Sequence, residues 1–343
     1  MQKRNSIITI LATLLLSLWF MESCRKNKVE LTAYPVSLPA HFPSTSFYQN
    51  NPITKEGFEL GRRLFYDQRF SKDGSISCGS CHEQRSAFGT YDHDLSHGVD
   101  GAHGIRNAMS LYNLAWQTSF GWDGKYSSME AVYAAHITSP IEMGETVSNV
   151  ISKLKADSRY PQQFKTVFGS TEINQQRISN ALTQFVGALI SVATKYDSVK
   201  QNLATFTASE QAGYTIFQNK CNSCHTEPLF TDFSYRNNGL PQTILNDNGR
   251  MMVTGNNADA FKFRVPSLRN LFKSYPFMHD GRFIGFEQIF DHYQSGIVQS
   301  ATLDPLLTNG IPLSAQERLA LVDFLRTLTD NKFTSNTSFN APQ

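Results

Sequence analysis

Two pentapeptides constrain this chain more than anything else in it: Cys78-Gly79-Ser80-Cys81-His82 and Cys221-Asn222-Ser223-Cys224-His225. Both read C-x-x-C-H. Two thiols one helical turn apart can each add to a vinyl group of the same porphyrin, and the adjoining histidine then faces the iron as an axial ligand. Five cysteines and nine histidines scattered at random over 343 residues produce one such string in only roughly a few chains per thousand. Two of them point to two covalently bound haem c groups, attached through Cys78, Cys81, Cys221 and Cys224, with His82 and His225 as proximal ligands. A structural zinc site would favour further cysteine or histidine partners beside each motif. A C-x-x-C redox pair would need a thioredoxin-like βαβ setting, which is absent.

The fifth cysteine has a different context. Lys3 and Arg4 precede the apolar stretch Ile7 to Phe20, which ends at Met21-Glu22-Ser23-Cys24 and is followed by Arg25-Lys26. This reads as a lipoprotein signal peptide over residues 1–24, with Cys24 as the lipidated first residue, although Glu22 departs from the usual small or apolar residue there. The alternative is an uncleaved signal anchor. The expected location is periplasm-facing and membrane-anchored through the lipid, and lipidation of Cys24 leaves no unassigned thiol. A formal net charge of +2 without a basic run argues against a nucleic-acid partner. Charged residues at 17% and hydrophobic residues at 40% suit one or two ordinary globular cores.

A weak internal repeat flanks the motifs. Gly61-Arg62-Arg63-Leu64-Phe65 precedes the first and Gly213-Tyr214-Thr215-Ile216-Phe217 the second, each at the end of an expected helix. Between Glu172 and Tyr196, the apolar residues Ile178, Leu182, Phe185, Val186, Leu189 and Ile190 recur at helical spacing. Thr207 with Glu210 and Ser314 with Glu317 read as capping boxes, the second opening a closing helix through Leu321 and Leu325. The expected fold is mainly α, two tandem cytochrome-c-like haem domains, with a tether at 25–47, an N-terminal haem domain at 48–200 and a C-terminal one at 201–335. Residues 232–262, rich in Asn, Gly and Asp, read as a long surface loop.

From about Glu56 to Thr329 the chain resembles the bacterial di-haem cytochrome c peroxidases and their MauG-type relatives. The marks come in order: Leu60-Gly61 to Phe70-Ser71, the first C-x-x-C-H, Ser96-His97-Gly98, Arg106-Asn107, Trp122-Asp123-Gly124, Ile141-Glu142-Met143 and the second C-x-x-C-H. Phe263 to Asn270 and Tyr275-Pro276-Phe277-Met278-His279-Asp280-Gly281 complete them. The resemblance implies a peroxidatic first haem fed with electrons by the second. It makes His97 the removable distal ligand, with His93, His103 and His136 nearby in sequence. It makes Glu142 the catalytic acid/base, set in an apolar surround from Ile141 and Met143, and Trp122 a residue between the haems. Asn107 with the Ser274 and Pro276 carbonyls matches a calcium site joining the domains. His136 stands where the family usually has proline.

The other axial ligand of the second haem is where this sequence departs from the classical peroxidases. The position of their ligating methionine, counted from His279, falls on Tyr293, which MauG-type enzymes also carry; Met278 is the minor candidate, out of register. A thioether favours Fe(II), whereas a phenolate favours Fe(III) and higher states, so that two oxidising equivalents can be shared between the irons. The leading expectation is a peroxidase that reduces hydrogen peroxide with electrons from a small cytochrome or similar donor, with a homodimer as a candidate assembly. The alternatives are a MauG-type oxidase that uses peroxide on a protein or small substrate, and a plain electron-transfer cytochrome.

Overall fold

The computed structural model describes residues 30–91 and 93–343; the export segment with Cys24 lies outside the described residues. Each half of the chain is organised by one crossing of two helices, and the glycine of the internal repeat sits at each crossing. In the first half, α1 (Lys55–Phe65) is capped by Thr54, whose side chain accepts a hydrogen bond from Gly57 N. A Cβ placed on Gly61 would lie 2.0 Å from the Ala181 carbonyl oxygen, so only glycine lets the two backbones approach this closely. The motif helix α2 (Cys78–Cys81) follows, then α3 (Met129–Thr138), α4 (Val147–Ala156), α5 (Arg159–Phe168) and the crossing partner α6 (Gln175–Gly187). Phe58, Leu64, Phe65, Leu182 and Phe185 fill the seam and are almost wholly buried.

The second half repeats the device. After α7 (Lys195–Lys200), helix α8 (Ala208–Lys220) opens on the Thr207–Glu210 capping box, and α11 (Ala315–Arg326) on that of Ser314 and Glu317. A Cβ on Gly213 would lie 1.9 Å from the Ala320 carbonyl oxygen, and Phe217 and Phe324 are buried beside it. Between these two helices come the pair β1 (Tyr235–Arg236) and β2 (Phe263–Arg264), antiparallel with Tyr235 opposite Arg264, and the short helices α9 (Met251–Thr254) and α10 (Phe286–Asp291). Two hydrophobic cores result, one per half, and the fold is mainly helical as expected. Among the described residues no helix is long and apolar enough to cross a membrane.

Three stretches differ from the sequence reading. Residues 30–47 do not behave as a tether: Tyr34 stacks on Phe58 with ring centroids 4.4 Å apart, Tyr34 N donates to Ile53 O, and Phe42 lies buried under the Arg269 guanidinium. Prolines alone suggested a linker, but the aromatic residues between them have apolar surface to bury. The single helix expected over 172–196 is two, α6 and α7. Ser191 and Ala193 between them instead give their backbone N–H groups to Asn113 and Asp330, and Tyr196 belongs to the second core. The 232–262 stretch is partly anchored, with Asn237 buried and Asp247 paired to Arg106. The chain end recrosses as well, because Phe333 of α12 (Asn331–Thr334) and Phe339 lie in the first core.

The two halves meet through polar contacts that leave few alternatives. Arg106 is held by Asp123 on one side and by Asp247 of the second half on the other, each at 2.6 Å. Tyr112 of the first half donates its hydroxyl to Arg269 O at 2.5 Å, and the fully buried Arg269 side chain, within the second half, forks onto Asp197 at 2.7 and 2.9 Å. Bidentate pairing of this kind fixes orientation as well as distance.

Candidate functional site

At the first motif, Ser77 opens α2, and its backbone N–H donates to Ser80 Oγ at 3.0 Å. The turn closes with His82 N donating to Cys78 O at 3.0 Å. His82 Nδ1 lies 2.9 Å from the Phe88 carbonyl oxygen. A proton on Nδ1 donated there leaves Nε2 as the free ligand atom, the usual arrangement behind a metal-binding histidine. Burial pulls the His82 pKa down to about 4, which keeps the ring neutral.

The second motif follows the C-terminal end of α8. His225 Nδ1 lies 3.0 Å from Pro266 O and 3.3 Å from Phe230 O, and burial again lowers its pKa. Cys221, Cys224 and His225 border a cavity of about 530 Å³ whose walls include Leu229, Leu271, Phe290 and Leu325. Apolar walls with a few fixed polar groups, at this volume, suit a porphyrin. The residues present therefore fit a haem.

Tyr293 and Met278 both border this cavity. Tyr293 lies in a π-helical turn (His292–Gly296) that extends α10, an irregularity found disproportionately at functional positions. Burial pushes its phenol up to about 12, against a hydrogen bond from Asn238 that lowers it. The Asn238 amide also donates to Met278 Sδ at 3.7 Å, and its carbonyl lies 3.0 Å from His292 Nε2. Asn238 thus stands between the two candidate ligands, a position that the Asn-Asn-Gly stretch reads only as a turn.

Trp122, Asn107, Ser274 and Pro276 line the same cavity. The Trp122 indole N–H donates to Asn107 O at 2.8 Å, and Asn107 N donates to His279 O at 2.7 Å. His279 is stacked on Phe263 at 3.7 Å and faces Trp122 edge-on at 6.5 Å. The Asn107 side-chain amide donates to the carbonyls of His93 and Asp94. Among the described residues no group of three His, Cys, Asp or Glu side chains converges to hold a metal ion.

Glu142 lies on a tight loop after α3. Its N–H donates to Ser139 O, Gly144 N returns to the same carbonyl, and Val99 N donates to Glu142 O at 2.8 Å. Gly98 is required at that crossing, since a Cβ there would fall 2.1 Å from Ile141 O. This brings the His97 segment against the Glu142 segment, and Cys81 Sγ lies 3.6 Å from His97 O. The Glu142 charge acts on both Cys81 and His82. The His97 ring is exposed and clusters with His93 at 4.8 Å and His103 at 4.3 Å, while His136 stands apart and touches Glu142 instead. The apolar surround of Glu142 is half present: Met143 is buried and Ile141 is 44% exposed.

Two helical domains, each closing a C-x-x-C-H turn with its imidazole backed by a carbonyl, define a two-haem c-type cytochrome. The family model for di-haem cytochrome c peroxidase matches residues 55–205. Methylamine utilization protein MauG of Methylorubrum extorquens is 34% identical over 288 residues, 81% of this chain and 79% of that protein. Cytochrome c551 peroxidase of Nitrosomonas europaea is 31% identical, over 90% and 93% of the two chains. Among solved structures, a MauG-like protein associated with microbial copper homeostasis superposes with a TM-score of 0.82 at 31% identity, covering 90% of this chain and 99% of that one. The di-haem peroxidase BthA of Burkholderia thailandensis shares the fold, with a TM-score of 0.71 at 18% identity over 92% and 99% of the chains. The chain belongs to the di-haem cytochrome c peroxidase family, and membership carries two c-type haems.

Proposed function

We propose that the chain reduces hydrogen peroxide to water at its first haem, with electrons passed through the second from a small cytochrome or similar donor. The observation that carries this reading is the place of Glu142, a carboxylate 31% exposed on a loop tied to Val99, next to the His97 segment whose carbonyl lies 3.6 Å from Cys81 Sγ. A haem held by Cys78, Cys81 and His82 would supply the redox chemistry. Glu142 removes the proton from one peroxide oxygen and delivers it to the departing one, so that two protons and two electrons yield two waters. His97, on an exposed loop beside the Glu142 segment, would be the side chain that holds this haem on its open side and makes way for peroxide. Trp122, on the wall of the second cavity, holds Asn107 through its indole N–H and would serve as the residue between the haems.

A second reading, peroxide-driven oxidation of a protein or small substrate in the manner of MauG, is favoured by Tyr293 on the wall of the second haem cavity. Asn107, Ser274 and Pro276, all on the wall of this cavity, would be the calcium position in this reading. Added EDTA should then lower the midpoint of thermal unfolding, and an unchanged midpoint removes calcium from the account. Lipid on Cys24 would hold the enzyme close to a membrane on its periplasmic side. The chain is packed from Ala33, which pairs with Thr54, and the intervening residues reach at most about 30 Å.

The test is steady-state peroxide consumption by the purified holoprotein with a reduced small c-type cytochrome. Turnover supports the peroxidase. An oxidised state spread over both irons that outlives peroxide supports the MauG-type reading, and no reaction with peroxide leaves only electron transfer.

A further inference from the structure

We infer that His136 is a positioning residue for Glu142, holding one carboxylate oxygen so that the other is presented to peroxide; this rests on the role of Glu142 proposed above. His136 Nδ1 and Glu142 Oε2 lie 2.9 Å apart. The contact is built by the backbone. His136 occupies the last turn of α3, and the chain then folds back, with Met143 N donating to His136 O and Glu145 N to Ile137 O. The loop therefore lays Glu142 beside the helix end whose histidine it meets.

The geometry divides the labour of the carboxylate. Oε2 is engaged by the imidazole, and among the described residues Oε1 has no protein hydrogen-bond donor. A carboxylate with both oxygens free samples several rotamers, whereas one tied at 2.9 Å keeps the other oxygen in a narrow range. The tie also joins the inside to the outside: the side chains are 41% exposed for His136 and 31% for Glu142, and Tyr126 packs its ring 6.2 Å from the imidazole on the other flank. A helix C-terminus favours a donor there, and His136 supplies one where the family pattern has proline, which has no side-chain donor.

The experiment uses four holoproteins with both haems attached: His136→Ala, His136→Asn, Glu142→Gln and the double variant H136A/E142Q. Asparagine places an amide N–H close to where Nδ1 stands. Loss of one hydrogen bond to a charged group predicts a fall of about tenfold in the rate of reaction with peroxide for H136A, with the KM for the donor cytochrome unchanged. H136N should stay within about threefold of the parent. The double variant should be no slower than E142Q alone, because a residue acting through Glu142 has nothing left to act on. If E142Q is slow while H136A equals the parent, this inference fails and the role of Glu142 stands. The inference also fails if H136N is as slow as H136A, or if the double variant is slower than E142Q by the H136A factor. If E142Q equals the parent, both fall together.

Discussion

Phe88 and Phe230 occupy the same place in the two halves of the molecule. Each is fully buried, each has a positive φ (59° and 57°), and each turns its carbonyl oxygen to the Nδ1 of the proximal histidine, His82 or His225. A left-handed backbone costs a bulky residue of order 1–3 kcal/mol and persists where surrounding contacts over-determine it. The phenyl rings provide those contacts, Phe88 with Phe65 and Phe185, Phe230 with Phe217 and Tyr196. Core packing in each half thereby sets the orientation of its iron ligand.

Because each histidine is held by its own half, haem attachment should be separable. Replacing Cys221 and Cys224 by alanine together should halve the haem released per chain as pyridine haemochrome while leaving the first haem covalently bound. It should also lower the unfolding midpoint, since an apolar cavity of about 530 Å³ loses its occupant. Retention of two covalent haems per chain would contradict the attachment sites.

Glu142→Gln keeps the shape of the side chain and removes its ability to accept a proton. General acid–base groups contribute typically about 10²- to 10⁴-fold, so peroxide turnover should drop by at least about a hundredfold. Haem content and the absorption spectrum of the resting protein should not change. Turnover within a few-fold of the parent would take Glu142 out of the chemistry.

The parts legible in the sequence are those in which side chains alone carry the signal. The C-x-x-C-H strings, the capping boxes at Thr207 and Ser314, and the repeat that opens on Gly61 and Gly213 each need one residue type at one spacing, whereas the close helix crossing at those glycines is seen only in the fold. The Phe88 and Phe230 carbonyls were invisible because every residue has a carbonyl, and nothing in a phenylalanine announces a positive φ. In the 30–47 segment the prolines signal a linker more strongly than Tyr34 and Phe42 signal packing, because their partners Phe58 and Arg269 lie far along the chain. His136 stood out as a departure from the family, but only the fold-back after α3 shows that it meets Glu142. The turn at Tyr293 is likewise a matter of one extra residue in a helix, which periodicity over six residues does not resolve.

Tyr293 and Met278 make different predictions for the second iron. With Tyr293 as ligand, Tyr293→Phe should change the electron paramagnetic resonance signal of that haem and raise its reduction potential, because an anionic phenolate is lost. Met278→Leu should leave both unchanged. The reverse pattern would assign the iron to Met278. Asn238→Leu, which removes the amide facing both side chains, should broaden the signal whichever of them is bound.

The Arg269–Asp197 pair predicts how stability depends on pH. Burial alone would raise the Asp197 carboxyl, but the Arg269 fork, with Thr194 behind it, outweighs burial and holds it below its ordinary value; His41 Nε2 also touches it at 3.0 Å. A carboxyl lowered in the folded state binds its proton more readily when unfolded, so protonation favours unfolding. The contribution is complete above the unfolded value of about 4 and disappears as pH falls through the lower folded value. Asp197→Asn leaves a fully buried guanidinium without its counter-charge, which costs about 3–5 kcal/mol at neutral pH, and it should flatten the acid limb of the stability curve. Thermal midpoints measured from pH 7 down to 3 check both: the gap between parent and variant should narrow at the acid end. A gap that stays constant across that range would mean that the loss comes from packing around Arg269 and not from the charge on Asp197.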